Sequence, residues 1–196
     1  MCKVFRYGEC FNIGMVLKYL KEWGNVMKSK EKRNREEFWD TFIRLRENPT
    51  IQELKKYSNH NISNLFDHSS RVAVCAYDLS RRFHLNVDGS SLAKGAMLHD
   101  YYLYCARENE NIGTKEHWFG HPQTALKNAE KSFELSDLEK NIIRSHMWPL
   151  TFWHFPRSRE AVLINMADKI CAFGEMVLKR NEMKNPGRYE KRKQRA

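Results

Sequence analysis

Apolar residues recur along this chain with the spacing of helices rather than the alternation of strands. The clearest case is the stretch from about Asn64 to Phe83, which predicts a helix with a single apolar stripe. The stripe consists of Leu65, His68, Val72, Cys75 and Leu79, at offsets 0, 3, 7, 10 and 14. His68 is therefore expected on a buried helix face.

Patterning and capping signals divide the rest of the chain into further helices, and no segment convincingly predicts a strand. The predicted helices are Phe11–Trp23, Lys28–Glu47, Pro49–Tyr57, one capped by Asp88 that ends near Tyr104, one opening at Gly120-His121-Pro122, Ser136–His146 and Ser158–Lys179. Polar loops are expected at 59–64 and 109–118, and an aromatic loop at 148–156. We therefore expect an all-α helical bundle.

Two of these helices carry charged or titratable groups on otherwise apolar faces. In the helix after Asp88, His99 shares a face with apolar residues, and helix geometry places Asp100 about 100° round from it. In the last helix, Asp168 and Glu175 lie on an apolar stripe. An unpaired carboxylate in a core is costly, so Asp168 needs a cation, an arginine or several donors.

Six histidine and aspartate residues are spread over successive predicted helices. They are His68, His99, Asp100, His121, His146 and Asp168. With the adjacent His99-Asp100 pair counted as one position, each gap is about one helix plus a loop, so the six groups can converge in a bundle core. Imidazole and carboxylate ligands suit divalent Mn, Fe, Zn, Co or Mg, which favours a metal-dependent hydrolase. A single histidine on an apolar face is more often a satisfied core residue, but one metal site explains all six positions together.

The ordered set resembles the H…HD…D signature of the HD-domain superfamily of metal-dependent phosphohydrolases. The matching segments are Asp67-His-Ser-Ser-Arg-Val-Ala-Val-Cys-Ala76, Ala96-Met-Leu-His-Asp100 and Asn165-Met-Ala-Asp-Lys169. His121, in Gly120-His-Pro-Gln-Thr-Ala125, and His146, in Ile142-Ile-Arg-Ser-His146, are similar to the extra histidines that hold a second metal in HD proteins. The resemblance covers about residues 60–180 and implies an HD-domain-like bundle.

The resemblance also implies a mechanism. His68, His99, Asp100 and Asp168 would hold one ion, and Asp100 would bridge to a second ion held by His121 and His146. The ions would activate and orient a shared water for in-line attack on phosphorus. Tyr101-Tyr-Leu-Tyr104 replaces the lysine that follows HD in HD-GYP phosphodiesterases, and the Gly-Tyr-Pro motif is absent from the sequence. The chain is thus more similar to small stand-alone bacterial HD hydrolases, with a phosphorylated, nucleotide-like substrate expected.

Three alternatives stay open at this point. One is a site for a single ion, in which His121 and His146 contact substrate or act as acid and base. Another is a non-catalytic, nucleotide-binding regulatory module that reaches a partner through a basic tail. The third is a di-iron oxygenase, since HD-like helical scaffolds include such enzymes.

Further side chains are candidates for contacting substrate. The candidate phosphate neutralisers are Arg71, Lys94, Arg157, Arg159 and Lys169, and we assign a catalytic role to Lys169 together with Asp100, His121 and His146. His154 is a further candidate, with packing in the aromatic loop as the alternative. The candidates for stacking on a nucleobase are Trp148, Phe152, Trp153 and Phe155, although core packing is the favoured role for them.

Composition sets the outer bounds of the prediction. The chain has 196 residues and a net charge of +10, and residues 179–196 hold eight Lys or Arg against two Glu. We expect an N-terminal helical extension (1–59), an HD domain (60–180) and a flexible basic tail (181–196), with at most weak nucleic-acid contact through the tail. Five unpatterned cysteines and the lack of a signal peptide or apolar span favour a cytoplasmic protein with no membrane partner.

Overall fold

The computed structural model describes residues 13–59, 63–104 and 114–184. Its helices are α1 (Ile13–Glu47), α2 (Pro49–Gln52), α3 (Leu65–Arg82), α4 (Gly89–Leu98), α5 (Thr114–Ser132), α6 (Asp137–Ser145) and α7 (Arg159–Lys184). A 3-10 turn spans Glu53–Lys56, and two two-residue strands, β1 (Ser58–Asn59) and β2 (Ser63–Asn64), pair antiparallel. The prediction of an all-α bundle is confirmed.

Local capping explains where several helices begin. The Asn64 side chain accepts a hydrogen bond from the Asp67 amide at 2.8 Å and starts α3. Ser136 and Glu139 form a reciprocal capping box at the start of α6, as the sequence predicts. Asp88 caps α4 by accepting from the Ser91 amide.

Helix α4 lies at the centre of the bundle and packs against α1, α3, α6 and α7. Leu92, Ala96 and Met97 are fully buried on it. Gly95 allows α6 to approach closely, because a Cβ atom there would lie only 2.6 Å from Cγ2 of Ile142. The central position of α4 brings its C-terminal end, and with it His99 and Asp100, into the interior.

Helix α4 ends earlier than predicted. It stops at Leu98 with His99 as its C-cap, so His99 and Asp100 lie in a turn rather than on one helix continuing to Tyr104. The Asn128 side chain, 26 residues away from Tyr102, donates to the carbonyl oxygens of Tyr101 and Tyr102 at 3.3 and 3.1 Å. If α4 continued, these two carbonyl oxygens would accept hydrogen bonds from the next turn of the helix. The Asn128 side chain supplies those hydrogen bonds instead.

Helix α5 begins earlier than predicted. It starts at Thr114, so Trp118 is helical rather than part of a loop, and Pro122 lies inside the helix rather than in its first turn. A proline in a helix interior removes one backbone hydrogen bond. His121 consequently lies in the body of α5 rather than near its N-terminus.

The N-terminal helix is also longer than predicted. Residues 13–47 form one continuous helix instead of two, and its C-terminal part buries Phe38 and Phe42. The predicted tail from residue 181 begins inside α7, which continues to Lys184, and its remainder lies outside the described residues. The domain boundaries at 59 and 180 stay predictions.

The aromatic loop between α6 and α7 is exposed rather than packed into the core. Trp148, Phe152, Trp153 and Phe155 are 37%, 72%, 76% and 56% exposed, which makes the prediction of core packing wrong for all four. The adjoining outer face of α7 is also apolar; its exposed apolar residues are Val162, Met166, Ile170, Phe173, Met176 and Val177. Among the described helices, none has the length and apolar character needed to cross a membrane.

Candidate metal centre

The six predicted ligands come together in the bundle interior from five different elements. His68 is on α3, His121 on α5 and Asp168 on α7. His99 and Asp100 follow α4, and His146 is the C-cap of α6. All six are buried.

Asp100 stands at the centre of the cluster, with two histidines beside each carboxylate oxygen. Oδ2 lies 3.5 Å from Nε2 of His99 and 3.9 Å from Nε2 of His68. Oδ1 lies 3.5 Å from Nε2 of His121 and 3.4 Å from Nε2 of His146. Two sets of three residues thus have ligand atoms close enough to hold a metal ion. One set is Asp100 with His68 and His99, and the other is Asp100 with His121 and His146.

His99 and His146 are oriented by the same local device. Each caps the C-terminus of its helix, and each Nδ1 lies 2.7 Å from the carbonyl oxygen three residues earlier, Ala96 and Ile143 respectively. Because a carbonyl oxygen only accepts, Nδ1 must carry the proton. In the neutral tautomer of each ring the lone pair is then on Nε2, the atom that faces Asp100, as a metal ligand requires.

The cluster contains buried polar atoms that nothing in the described structure satisfies. Nε2 of His99 and Oδ1 of Asp100 are buried without a hydrogen-bond partner. In addition, Nε2 of His121 and Nε2 of His146 face each other at 2.9 Å. Buried polar groups are nearly always paired, and divalent cations in the two halves of the cluster would satisfy Nε2 of His99 and Oδ1 of Asp100. The donor set therefore fits a metal ion.

Asp168 completes the half of the cluster around His68. Its Oδ1 is 3.1 Å from Nε2 of His68 and 3.7 Å from Nε2 of His99. Burial acts to lower the pKa of His68, but hydrogen bonds to Asp168 and Glu175 outweigh it and raise that pKa to about 10. Burial acts to raise the pKa of Asp168, but the hydrogen bond from His68 and the electrostatic interaction with His99 hold it well below its usual range.

Asp100 has the same kind of electrostatic environment. Burial alone would raise its pKa, but electrostatic interactions with His99, His146 and His121 hold it well below the usual range. Both carboxylates of the cluster therefore remain ionised. The arrangement is an anionic centre surrounded by nitrogen donors, which could hold a metal ion.

Glu175 is a functional candidate that the ligand pattern missed. Its Oε1 is 3.0 Å from Nδ1 of His68 and accepts hydrogen bonds from Arg71 Nε and Nη2 at 3.1 and 2.6 Å. The stripe on the last helix does include Glu175, and that was the available signal. Glu175 lies seven residues, or about two helical turns, after Asp168, so both carboxylates lie on the face of α7 that packs against α3.

An open cavity of about 450 Å³ leads to the cluster. His68, Asp100, His121, His146 and Asp168 lie at its wall, and the other lining residues are Tyr102, Trp118, Met147, Pro149, Leu150, Lys169 and Ala172. Among the described residues that line the cavity, Lys169 alone carries an ammonium or guanidinium group. Its Nζ donates to the carbonyl oxygens of His146 and Asn165, at 3.3 and 3.2 Å.

The other candidate phosphate neutralisers do not line this cavity. Arg71 binds Glu175, and Lys94 pairs with Glu139 at 3.1 Å. Arg159 donates to a backbone carbonyl, and Arg157 is exposed.

Neither His154 nor the aromatic residues predicted to stack on a nucleobase line the cavity. His154 lies with its Nε2 2.8 Å from Nε2 of Gln123. Of the predicted stacking candidates Trp148, Phe152, Trp153 and Phe155, none lines the cavity, whereas Leu150 from the same loop does.

Comparison with protein-family models, with curated proteins and with solved structures found no match for this chain. The functional assignment therefore depends on the residues themselves. What they establish is an all-α protein with buried histidine and aspartate groups that could bind metal.

Proposed function

We propose that the chain is a metal-dependent phosphohydrolase of the HD-domain type that holds two divalent ions. His68, His99, Asp100 and Asp168 would hold the first ion, and Asp100, His121 and His146 the second. A phosphomonoester, phosphodiester or phosphoanhydride in a nucleotide-like molecule is the proposed substrate class. A divalent ion supplies activation of water and neutralisation of phosphoryl charge in such a site.

The observation that carries the proposal is the position of the Asp100 carboxylate between two pairs of histidine Nε2 atoms. The separations of 3.4 to 3.9 Å are those of groups that could share a cation. The orphaned Oδ1 of Asp100 is the atom that faces His121 and His146. A carboxylate that bridges two ions would use one oxygen on each side.

The surrounding residues supply the remaining requirements of phosphoryl transfer. The Lys169 ammonium stands at the cavity wall, where it can bind a non-bridging phosphoryl oxygen. Trp118 and Leu150 give the cavity an apolar wall that can contact the organic part of the substrate. No protein nucleophile is needed, because water attacks phosphorus in this mechanism.

The experiment is elemental analysis of protein purified without chelator or exposure to an affinity metal. About two equivalents of a divalent metal per chain are expected. Phosphomonoesters, phosphodiesters and nucleotides are then tested for turnover with the ion found. About one equivalent would contradict the two-ion arrangement, and no metal, with no uptake of Mn, Fe, Zn, Co or Mg, would contradict the whole proposal.

Two variants make the experiment specific to the site. Asp100→Ala is expected to lose both metal and turnover while circular dichroism shows unchanged helicity. His84→Asn is the matched control, because His84 is exposed, lies outside the cluster and has a φ of 50°, which asparagine tolerates. Metal content and turnover of the control should equal those of the unmodified protein.

A further inference from the structure

Glu175 contacts His68 on the side of the imidazole ring away from the metal cluster. Nδ1 of His68 faces Oε1 of Glu175 at 3.0 Å, whereas Nε2 faces Oδ1 of Asp168 at 3.1 Å. The two ring nitrogens point in divergent directions. Glu175 therefore approaches the opposite edge of the His68 ring and does not compete for the metal position.

The Glu175 carboxylate is held in place from three directions and is 5% exposed. Arg71 donates to Oε1 through Nε and Nη2, and the Ser63 hydroxyl donates to Oε2 at 3.3 Å. Glu175 comes from α7, Arg71 from α3 and Ser63 from β2. A carboxylate fixed in this way has little freedom to turn away from His68.

The environment of His68 differs from that of two other histidines in the cluster. Nδ1 of His99 and Nδ1 of His146 donate to neutral backbone carbonyls of their own helices. Nδ1 of His68 instead donates to an ionised carboxylate from another helix, which makes Nε2 a stronger electron donor and fixes the ring plane across the α3–α7 interface.

We propose that Glu175 is a positioning residue that fixes the tautomer and ring orientation of His68 for binding a divalent cation. The inference depends on the proposed metal site, since His68 must be a ligand for Glu175 to act through it. Because His68 serves only one half of the cluster, Glu175 should affect one ion and leave the ion beside His121 and His146 unchanged.

The test is binding of Co²⁺ to the full chain, followed by calorimetry and by visible absorption bands, which report the ligand field of each ion. Glu175→Met keeps a side chain of similar length but removes the acceptor. One of two binding steps should weaken about 10- to 100-fold, with a change in its absorption bands, while the other step stays the same. Glu175→Gln retains an oxygen acceptor and should restore most of the affinity.

Arg71→Gln is the matched control, because it breaks the ion pair while leaving the Glu175–His68 hydrogen bond available. Its Co²⁺ binding should weaken much less than that of Glu175→Met, because the Ser63 hydroxyl still holds the carboxylate. A loss as large as that of Glu175→Met would assign the effect to the ion pair and overturn the proposal. Circular dichroism of the metal-free proteins verifies that each variant is folded.

If Glu175→Met loses helicity, a second variant tests whether Glu175 positions His68. Glu175→Asp keeps the charge but withdraws the carboxylate by one methylene, and it should weaken the same single step. Unchanged Co²⁺ binding by the folded variants would overturn the role of Glu175 while leaving the proposed metal site intact. Failure of the unmodified protein to bind Co²⁺ would instead overturn both.

Discussion

Replacement of Asp100 by alanine should abolish the stabilisation expected from the two proposed metal ions. Each oxygen of the carboxylate faces a different pair of histidines, so one substitution removes a ligand from both halves of the cluster. By contrast, His121→Ala removes a ligand only from the half that also contains His146. The two variants should therefore differ in how much of the metal effect survives.

The size of the effect can be estimated from binding linkage. At a free metal concentration of 100 times Kd, one ion stabilises the folded state by about 2.7 kcal/mol. For a chain of this size, Tm rises by about 2–4 °C per kcal/mol, so one ion should raise it by about 5–11 °C. Two such ions should give about twice that, His121→Ala about half of the total, and Asp100→Ala nearly none.

The assay is thermal unfolding of chelator-treated protein, with and without added metal, followed by circular dichroism at 222 nm (a wavelength chosen for roughly maximal helix signal). Subtracting the Tm of each metal-free variant removes any direct effect of the substitution on folding. His84→Asn should show the full shift. A full metal-induced shift in Asp100→Ala would refute the bridging role of this carboxylate.

Three further predictions concern substrate binding, protons and packing. Lys169→Met should lower kcat/KM for the phosphorylated substrate about 10- to 100-fold, mainly by raising KM, because it removes one charge-assisted hydrogen bond. Its metal content should not change, and a loss of metal would contradict this role for Lys169. In the metal-free protein the pKa of His68 is raised to about 10, so the ring stays protonated at pH 7. The stability that His68 contributes is therefore complete below about pH 6.5 and is lost as the pH rises through 10. Metal binding at pH 7 should therefore release about one proton from His68, measured by calorimetry in buffers of different ionisation enthalpy, and no proton release would count against His68 as a ligand. Gly95→Ala should destabilise the fold by about 1–3 kcal/mol in denaturant unfolding, because the added methyl group would overlap the Ile142 side chain, and an unchanged midpoint would show that α6 can move away.

The parts of the fold that the sequence predicted well depend on local signals. The apolar stripe around His68 and the Ser136–Glu139 capping box each lie within one helix, and both are confirmed. Asp168 was expected to be buried because it lies on an apolar stripe, and it is. Periodicity and capping are short-range properties, so a sequence reports them directly.

The parts that could not be predicted depend on distant partners. Helix α4 ends where Asn128, from α5, satisfies backbone carbonyls, and nothing near Tyr102 in the sequence indicates that contact. Helix α5 continues through Pro122 although proline usually marks a boundary. The contact between Glu175 and His68 likewise joins α7 to α3, and no local pattern in either helix indicates it.

The two halves of the cluster differ in charge, and this difference would set the order in which the two proposed ions bind. The half around His68 and His99 has both Asp100 and Asp168, whereas the half around His121 and His146 shares only Asp100. A cation gains more from two carboxylates than from one, so the first equivalent should enter beside His68. At limiting metal supply, the population would then consist of half-filled molecules with a vacant second position. Activity that needs both ions would rise only with the second equivalent, which would make the protein responsive to the amount of free metal around it.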